Sequence, residues 1–185
     1  MKNKVILNRK SPRLKSWDYS KPHWYFVTIC TFDHINYFGE IKNGKVVLNN
    51  LGLYAEECLK SISDHYKNVE VDYYIIMPNH IHAITIINPV GTCHGMSLQN
   101  DCERDDGLRH ASTLRKISLG NVIGSFKSAI SKWAHTNGFT NFKWQRSFYD
   151  RIIRNEKELH QIRKYIVQNP FAWELEKTFP ENLEL

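Results

Sequence analysis

No stretch of this chain approaches the roughly 18 consecutive apolar residues that a membrane-spanning helix requires. The basic N-terminus, Met1-Lys-Asn-Lys-Val-Ile-Leu-Asn-Arg-Lys10, has no hydrophobic region of signal-peptide length. A cytoplasmic protein with no membrane association is therefore expected. Cysteine is scarce, and Cys30, Cys58, Cys93 and Cys102 form neither a CxxC pair nor a zinc-finger spacing. Cys30 and Cys58 sit in apolar patterns and read as small core residues. Cys93, His94, Cys102 and His110 share one polar stretch, but their irregular spacing argues against a zinc site. Acidic residues are outnumbered, 19 against 25 Lys and Arg, for a net charge of +6. That moderate excess suits an anionic partner without requiring one. Internal repeats and low-complexity tracts are absent.

What is present fits one domain of 185 residues with a sizeable core, 42% hydrophobic and 24% charged. A basic leader occupies residues 1–20, a core 21–170 and an acidic tail 171–185. Trp24–Phe32 is rich in aromatic and β-branched residues and reads as a strand. Asn43-Gly44 between apolar alternations marks a hairpin within Tyr37–Leu48. Asn49 or Asn50 caps a predicted helix over 51–67, where Leu51, Tyr54, Ala55, Cys58, Leu59 and Ile62 recur at helical spacing. Val69–Met77 and the strand after Met77-Pro-Asn79 are expected to pair as an antiparallel hairpin. Residues 89–116 have no periodicity and read as a long loop or insertion. Ser118 caps a helix ending near Asn137-Gly138. Asn155 opens the last helix with Glu158 in a capping-box-like pattern, and the helix is expected to stop at Asn169-Pro170. This order predicts α+β architecture, with helices packed on one face of a mainly antiparallel sheet.

Within the strand following Asn79 lies His80-Ile81-His82. Side chains two apart on a strand share a face, so both imidazoles project together, close enough to hold one metal ion. Two hydrogen-bonded core histidines are the competing reading of this pair alone. On the last helix, Tyr165 and Asn169 are four residues apart and share a face beside the Ile162 stripe. A half-buried tyrosine and a helix-capping asparagine are the plainer reading of each alone. Together the four residues make a chemical proposal. Two neutral imidazoles and an amide oxygen leave a divalent ion its full charge, able to polarise a phosphodiester. Imidazole suits Mn²⁺ and other transition metals, whereas Mg²⁺ prefers oxygen. Tyr165 would be the nucleophile. A phenol is mostly neutral at pH 7 and needs activation. As a leaving group it makes a covalent step reversible, which suits strand transfer more than hydrolysis.

Tyr25–Thr31, Phe38-Gly-Glu40, Met77–Ala83, Gly124–Ala129, Trp144–Asp150, Ile153-Arg-Asn155 and Tyr165–Pro170 resemble the REP-associated tyrosine transposases. These form a bacterial branch of the HUH single-tyrosine transposases, and the likeness spans roughly residues 10–175. It implies a ferredoxin-like βαββαβ core with the histidines on a central strand and a C-terminal catalytic helix. It also implies cleavage of single-stranded DNA beside palindromic hairpins, through a 5′-phosphotyrosine and a free 3′ hydroxyl. By motif position Tyr165 is the nucleophile and His80, His82 and Asn169 hold Mg²⁺ or Mn²⁺. Related insertion-sequence enzymes often have Gln where Asn169 stands. The branch implies a monomer, with a dimeric composite site as the alternative. Tyr149, the competing tyrosine, has Ile153 four residues on and reads as packing or DNA contact. Tyr73 and Tyr74 read as sheet residues.

Arg9 and Arg13 of the leader, with Lys10 and Lys15, could form an arm on DNA. Lys127, Lys132, Lys143, Arg146, Arg151 and Arg154 are candidate phosphate contacts, and Trp144 or Phe148 candidate base-stacking residues. A solvated basic face over core aromatics is the other reading. Two functions compete with a metal-dependent nicking and rejoining transposase. One is a non-catalytic, domesticated hairpin-binding protein. The other is a replication or conjugative nickase, which would commonly offer a third histidine that Ala83–Ile87 lack.

Overall fold

Aromatic and β-branched residues alternating along His23–Cys30 build β1, the first strand of a four-stranded sheet. The computed structural model describes Leu14, residues 16–89 and residues 117–178. Arg9, Lys10, Arg13, Lys15, residues 90–116 with Cys93, His94, Cys102 and His110, and residues 179–185 lie outside the described residues.

After β1 come a 3-10 turn (Phe32–His34), β2 (Gly39–Lys42), β3 (Lys45–Leu48), α1 (Asn50–Lys60), α2 (Ile62–His65), β4 (Val69–Ile76) and β5 (His80–Ile87). The chain then continues through α3 (Leu119–Thr136), β6 (Tyr149–Ile152) and α4 (Glu156–Thr178). Sheet order is β4-β5-β1-β6, with every pairing antiparallel. Taken as β1-α1-β4-β5-α3-β6, this is the expected ferredoxin-like βαββαβ core. Strands β2 and β3 form a separate ribbon. It turns at Asn43 and Gly44, both at positive φ (52° and 67°), as a two-residue primed turn demands.

Local signals act where they were read. The Asn49 side chain accepts from Gly52 N and caps α1. Ser118 and Asn121 form a full capping box on α3. Asn155 Oδ1 accepts from Glu158 N at 2.9 Å, while the Glu158 carboxylate accepts from Arg154 N rather than from Asn155. The helix expected over 51–67 is interrupted at Ser61, which ends α1 and begins α2.

The two sheet faces differ. Tyr25, Val27 and Ile29 of β1 and Ile81, Ala83 and Ile87 of β5 pack against α1 and α3 in the main core. The alternate residues Trp24, Phe26, Ile75 and Ile84 meet Ile153 and Leu159, Ile162 and Ile166 of α4 in a smaller cluster. Helices α1 and α3 thus share one face, and α4 takes the other, the face onto which His80 and His82 project. Helix α4 does not stop at Asn169-Pro170, and the expected tail from 171 is helical to Thr178. Proline removes one helical hydrogen bond and biases its predecessor. Here tertiary contact overrides that bias: Asn169 and Pro170 are buried, and Trp173 one turn later lies against the His80 ring at 5.6 Å.

Candidate active site

The strand-and-helix geometry brings together the four residues singled out by spacing. His80 and His82 stand side by side with ring centroids 4.6 Å apart. Tyr165 Oη lies 3.4 Å from His82 Nε2, a long contact that leaves the hydroxyl loosely committed. Asn169 is buried and lies close enough to the His80 ring to favour its charged form. His82 is only 5% exposed at the floor of the site, whereas Tyr165 is 49% exposed at its rim.

Neighbouring groups fix both rings. His82 Nδ1 is 2.9 Å from Oγ1 of Thr28, its cross-strand partner on β1. Phe26 stacks on His82 at 5.2 Å and meets Tyr165 edge-on. Asn79 Nδ2 donates to the His34 carbonyl at 2.9 Å, which turns Asn79 Oδ1 toward His80 Nδ1 at 2.7 Å. An amide oxygen only accepts, so His80 Nδ1 carries the proton and Nε2 keeps its lone pair. Burial, then the neighbouring His34, lowers the His80 pKa to about 4, partly offset by Asn169, which favours the charged ring. Burial, then His80, lowers that of His82 to about 3. Both imidazoles are neutral at pH 7, with nitrogen lone pairs to offer.

Among the described residues, no group of three or more His, Cys, Asp or Glu gathers as a metal site. A cation here would rest on two imidazoles and the Asn169 amide. The donor set fits that role: two neutral rings on one strand face, each held through Nδ1 by an oxygen, as metal-ligating histidines usually are.

The candidate DNA residues divide. Lys127 Nζ donates to the Gln145 carbonyl at 2.6 Å, and burial lowers its pKa. Lys127 therefore pins the 144–148 segment rather than projecting as a phosphate contact. Trp144 donates Nε1 to the Lys127 carbonyl and packs on Phe38 and Phe142, so it serves as a packing residue. Phe148 is likewise buried in the main core. Lys132, Lys143, Arg146, Arg151 and Arg154 are exposed, and Arg151 pairs with Glu158 at 2.6 Å. Tyr149 lies on the histidine face in the cross-strand row Ile75–His82–Thr28–Tyr149, two strand spacings or roughly 10 Å from His82. Tyr165 is the tyrosine that reaches the pair.

Sequence reasoning missed Phe26, Thr28, Asn79 and Trp173. Asn79 was visible as the polar neighbour of His80, but Thr28 emerges only from the β1–β5 register. Trp173 was hidden behind the expected stop at Pro170.

The fold is that of a REP-associated tyrosine transposase. One such protein, solved bound to a REP hairpin, superposes with a TM-score of 0.54 over 87% of this chain and 74% of its own, at 19% identity. No family model matches the chain. An uncharacterized protein of Haemophilus influenzae (strain ATCC 51907 / DSM 11121 / KW20 / Rd) is 37% identical over 179 residues, 96% of either chain. The chain belongs to one family with that protein.

Proposed function

We propose that this protein nicks and rejoins single-stranded DNA beside REP-like hairpins, as a transposase of the HUH tyrosine class. The observation that carries the reading is Tyr165 Oη beside His82 Nε2, with His80 and Asn169 completing the cluster. The hairpin-bound structural neighbour supports the substrate class.

His80, His82 and Asn169 would hold Mg²⁺ or Mn²⁺, which when bound supplies Lewis-acid polarisation of a phosphodiester oxygen. The remaining work falls to the chain. Thr28 and Asn79 hold the imidazoles in orientation. Helix α4 presents the Tyr165 hydroxyl at the rim, where a flexible single strand can reach it. Attack by Tyr165 Oη forms an oxygen–phosphorus bond and breaks the bond to the 3′ oxygen. The phenol loses a proton and the departing 3′ hydroxyl gains one. Attack by another 3′ hydroxyl on the phosphotyrosine reverses the exchange and rejoins DNA, because phenolate leaves readily. Lys132, Arg146 and Arg154 are exposed cations available to the phosphate backbone.

The test is incubation with single-stranded DNA carrying REP-like hairpins and Mg²⁺ or Mn²⁺, resolved on a denaturing gel. Wild-type protein is expected to form a covalent adduct, and Tyr165→Phe to form none. An adduct that survives Tyr165→Phe would falsify the nucleophile assignment. Hairpin binding without cleavage in any divalent metal would instead favour a non-catalytic binding protein.

A further inference from the structure

Strand β4 breaks its ladder with β5 between Val71 and Tyr74, and this irregularity sets two consecutive side chains on one face. Val71 and Tyr74 pack with the main core, whereas Asp72 and Tyr73 both meet α4 through the same residue, Arg163. Arg163 Nε and Nη2 donate to Asp72 Oδ2 and Oδ1 at 2.8 and 2.9 Å. The guanidinium carbon lies 5.1 Å from the Tyr73 ring and 5.8 Å from the Trp24 ring. Trp24 belongs to β1 and Tyr73 to β4, the strands flanking β5. One guanidinium thus ties the helix to both neighbours of the histidine strand, by a two-pronged ion pair and two ring faces.

We infer that the Asp72–Arg163 clamp is a positioning device that sets the roll of α4 and hence the reach of Tyr165 to the histidines; this rests on the nicking function proposed above. At about 100° per residue, the buried stripe of Leu159, Ile162, Ile166 and Asn169 is flanked by Arg163 roughly 80° to one side and Tyr165 roughly 80° to the other. A roll that lifts Arg163 from Asp72 therefore moves Tyr165 relative to His82. A side-chain tip roughly 8 Å from the helix axis travels about 1.4 Å for a roll of about 10°. Misplacement on that scale costs on the order of 100-fold in rate. The buried apolar residues beneath α4 are few and aliphatic, Ile84, Ile153, Leu159, Ile162 and Ile166, with Trp24, Phe26 and Ile75 at their edge. Such side chains hold a helix down without dictating its rotation as sharply as a paired fork of hydrogen bonds.

Three variants test this in the full chain: Arg163→Gln, Arg163→Lys and Asp72→Asn. Three measurements are compared: hairpin affinity, the single-turnover rate of adduct formation, and hydrogen exchange in peptides covering residues 156–170. Arg163→Gln is expected to slow adduct formation on the order of 100-fold with affinity held within about twofold, and to speed exchange in α4 alone. Arg163→Lys is expected to rescue little, because an ammonium cannot reproduce the fork or the ring contacts. Wild-type adduct rates in Arg163→Gln overturn the inference, as does a parallel loss of rate and affinity. Should wild-type protein form no adduct, the nicking function fails instead. The exchange arm still judges the clamp, since unchanged α4 exchange in both Arg163→Gln and Asp72→Asn overturns it.

Discussion

His80 is a partly buried ring and His82 a buried one, beside the helix that carries Tyr165. Their folded pKa values, about 4 and about 3, lie below the ordinary value near 6.5. The unfolded chain therefore takes up protons at a pH where the folded chain does not. The stability tied to each neutral ring is fully present above about pH 6.5 and is lost as pH falls toward the folded value. Metal-free protein is expected to lose on the order of 10 °C in thermal midpoint between about pH 6.5 and pH 4. The decline should be shallower in a His80→Gln/His82→Gln protein, by calorimetry across that range. Equal slopes in the two proteins would show that the rings titrate freely. The pairs His80–His82 and Tyr165–Asn169 of the candidate site were legible in the sequence because each pairing is local: a two-residue strand repeat and a four-residue helix repeat. Arg163 and Asp72 were not, since they are 91 positions apart and meet only where a bulge re-aims the carboxylate.

Helix α1 shows how element ends are settled by neighbours. Gly52 lies in its first turn, where Ala would ordinarily be favoured by about 1 kcal/mol. A Cβ there would collide with the Phe38 carbonyl oxygen and crowd Leu48 Cδ2 at 2.9 Å. That oxygen already accepts from Asn49 N at 3.0 Å, so it is not free to retreat. Gly52→Ala is expected to destabilise the protein by about 2 kcal/mol, read as an earlier midpoint in urea. A later midpoint would contradict the close approach. Hairpin turn and helix caps could be read ahead of the structure because a side chain satisfies backbone groups within three residues. The face chosen by α4 could not, because it depends on which strands become neighbours. Lys127 and Trp144 were ambiguous for a related reason: a basic or aromatic residue looks the same in sequence whether it faces DNA or a core.

Across the whole molecule, α1 and α3 share the large core with one sheet face, while α4 rests on the small aliphatic cluster and the Arg163 clamp. Unequal packing predicts unequal local stability. Native-state hydrogen exchange is expected to show α4 opening at lower free energy than β1 and β5, as a unit that detaches before the global transition. Identical opening energies for α4 and the central strands would sink this expectation. Among the described residues no helix is long and apolar enough to cross a membrane. The sheet is also a partition between inheritances. One side secures the fold and the other carries the candidate site, so substitutions at Tyr165 or Asn169 leave the large core untouched. A lineage descending from this protein could therefore change or lose the residues of that face while its architecture survives selection, and then be retained for whatever its surface still grips.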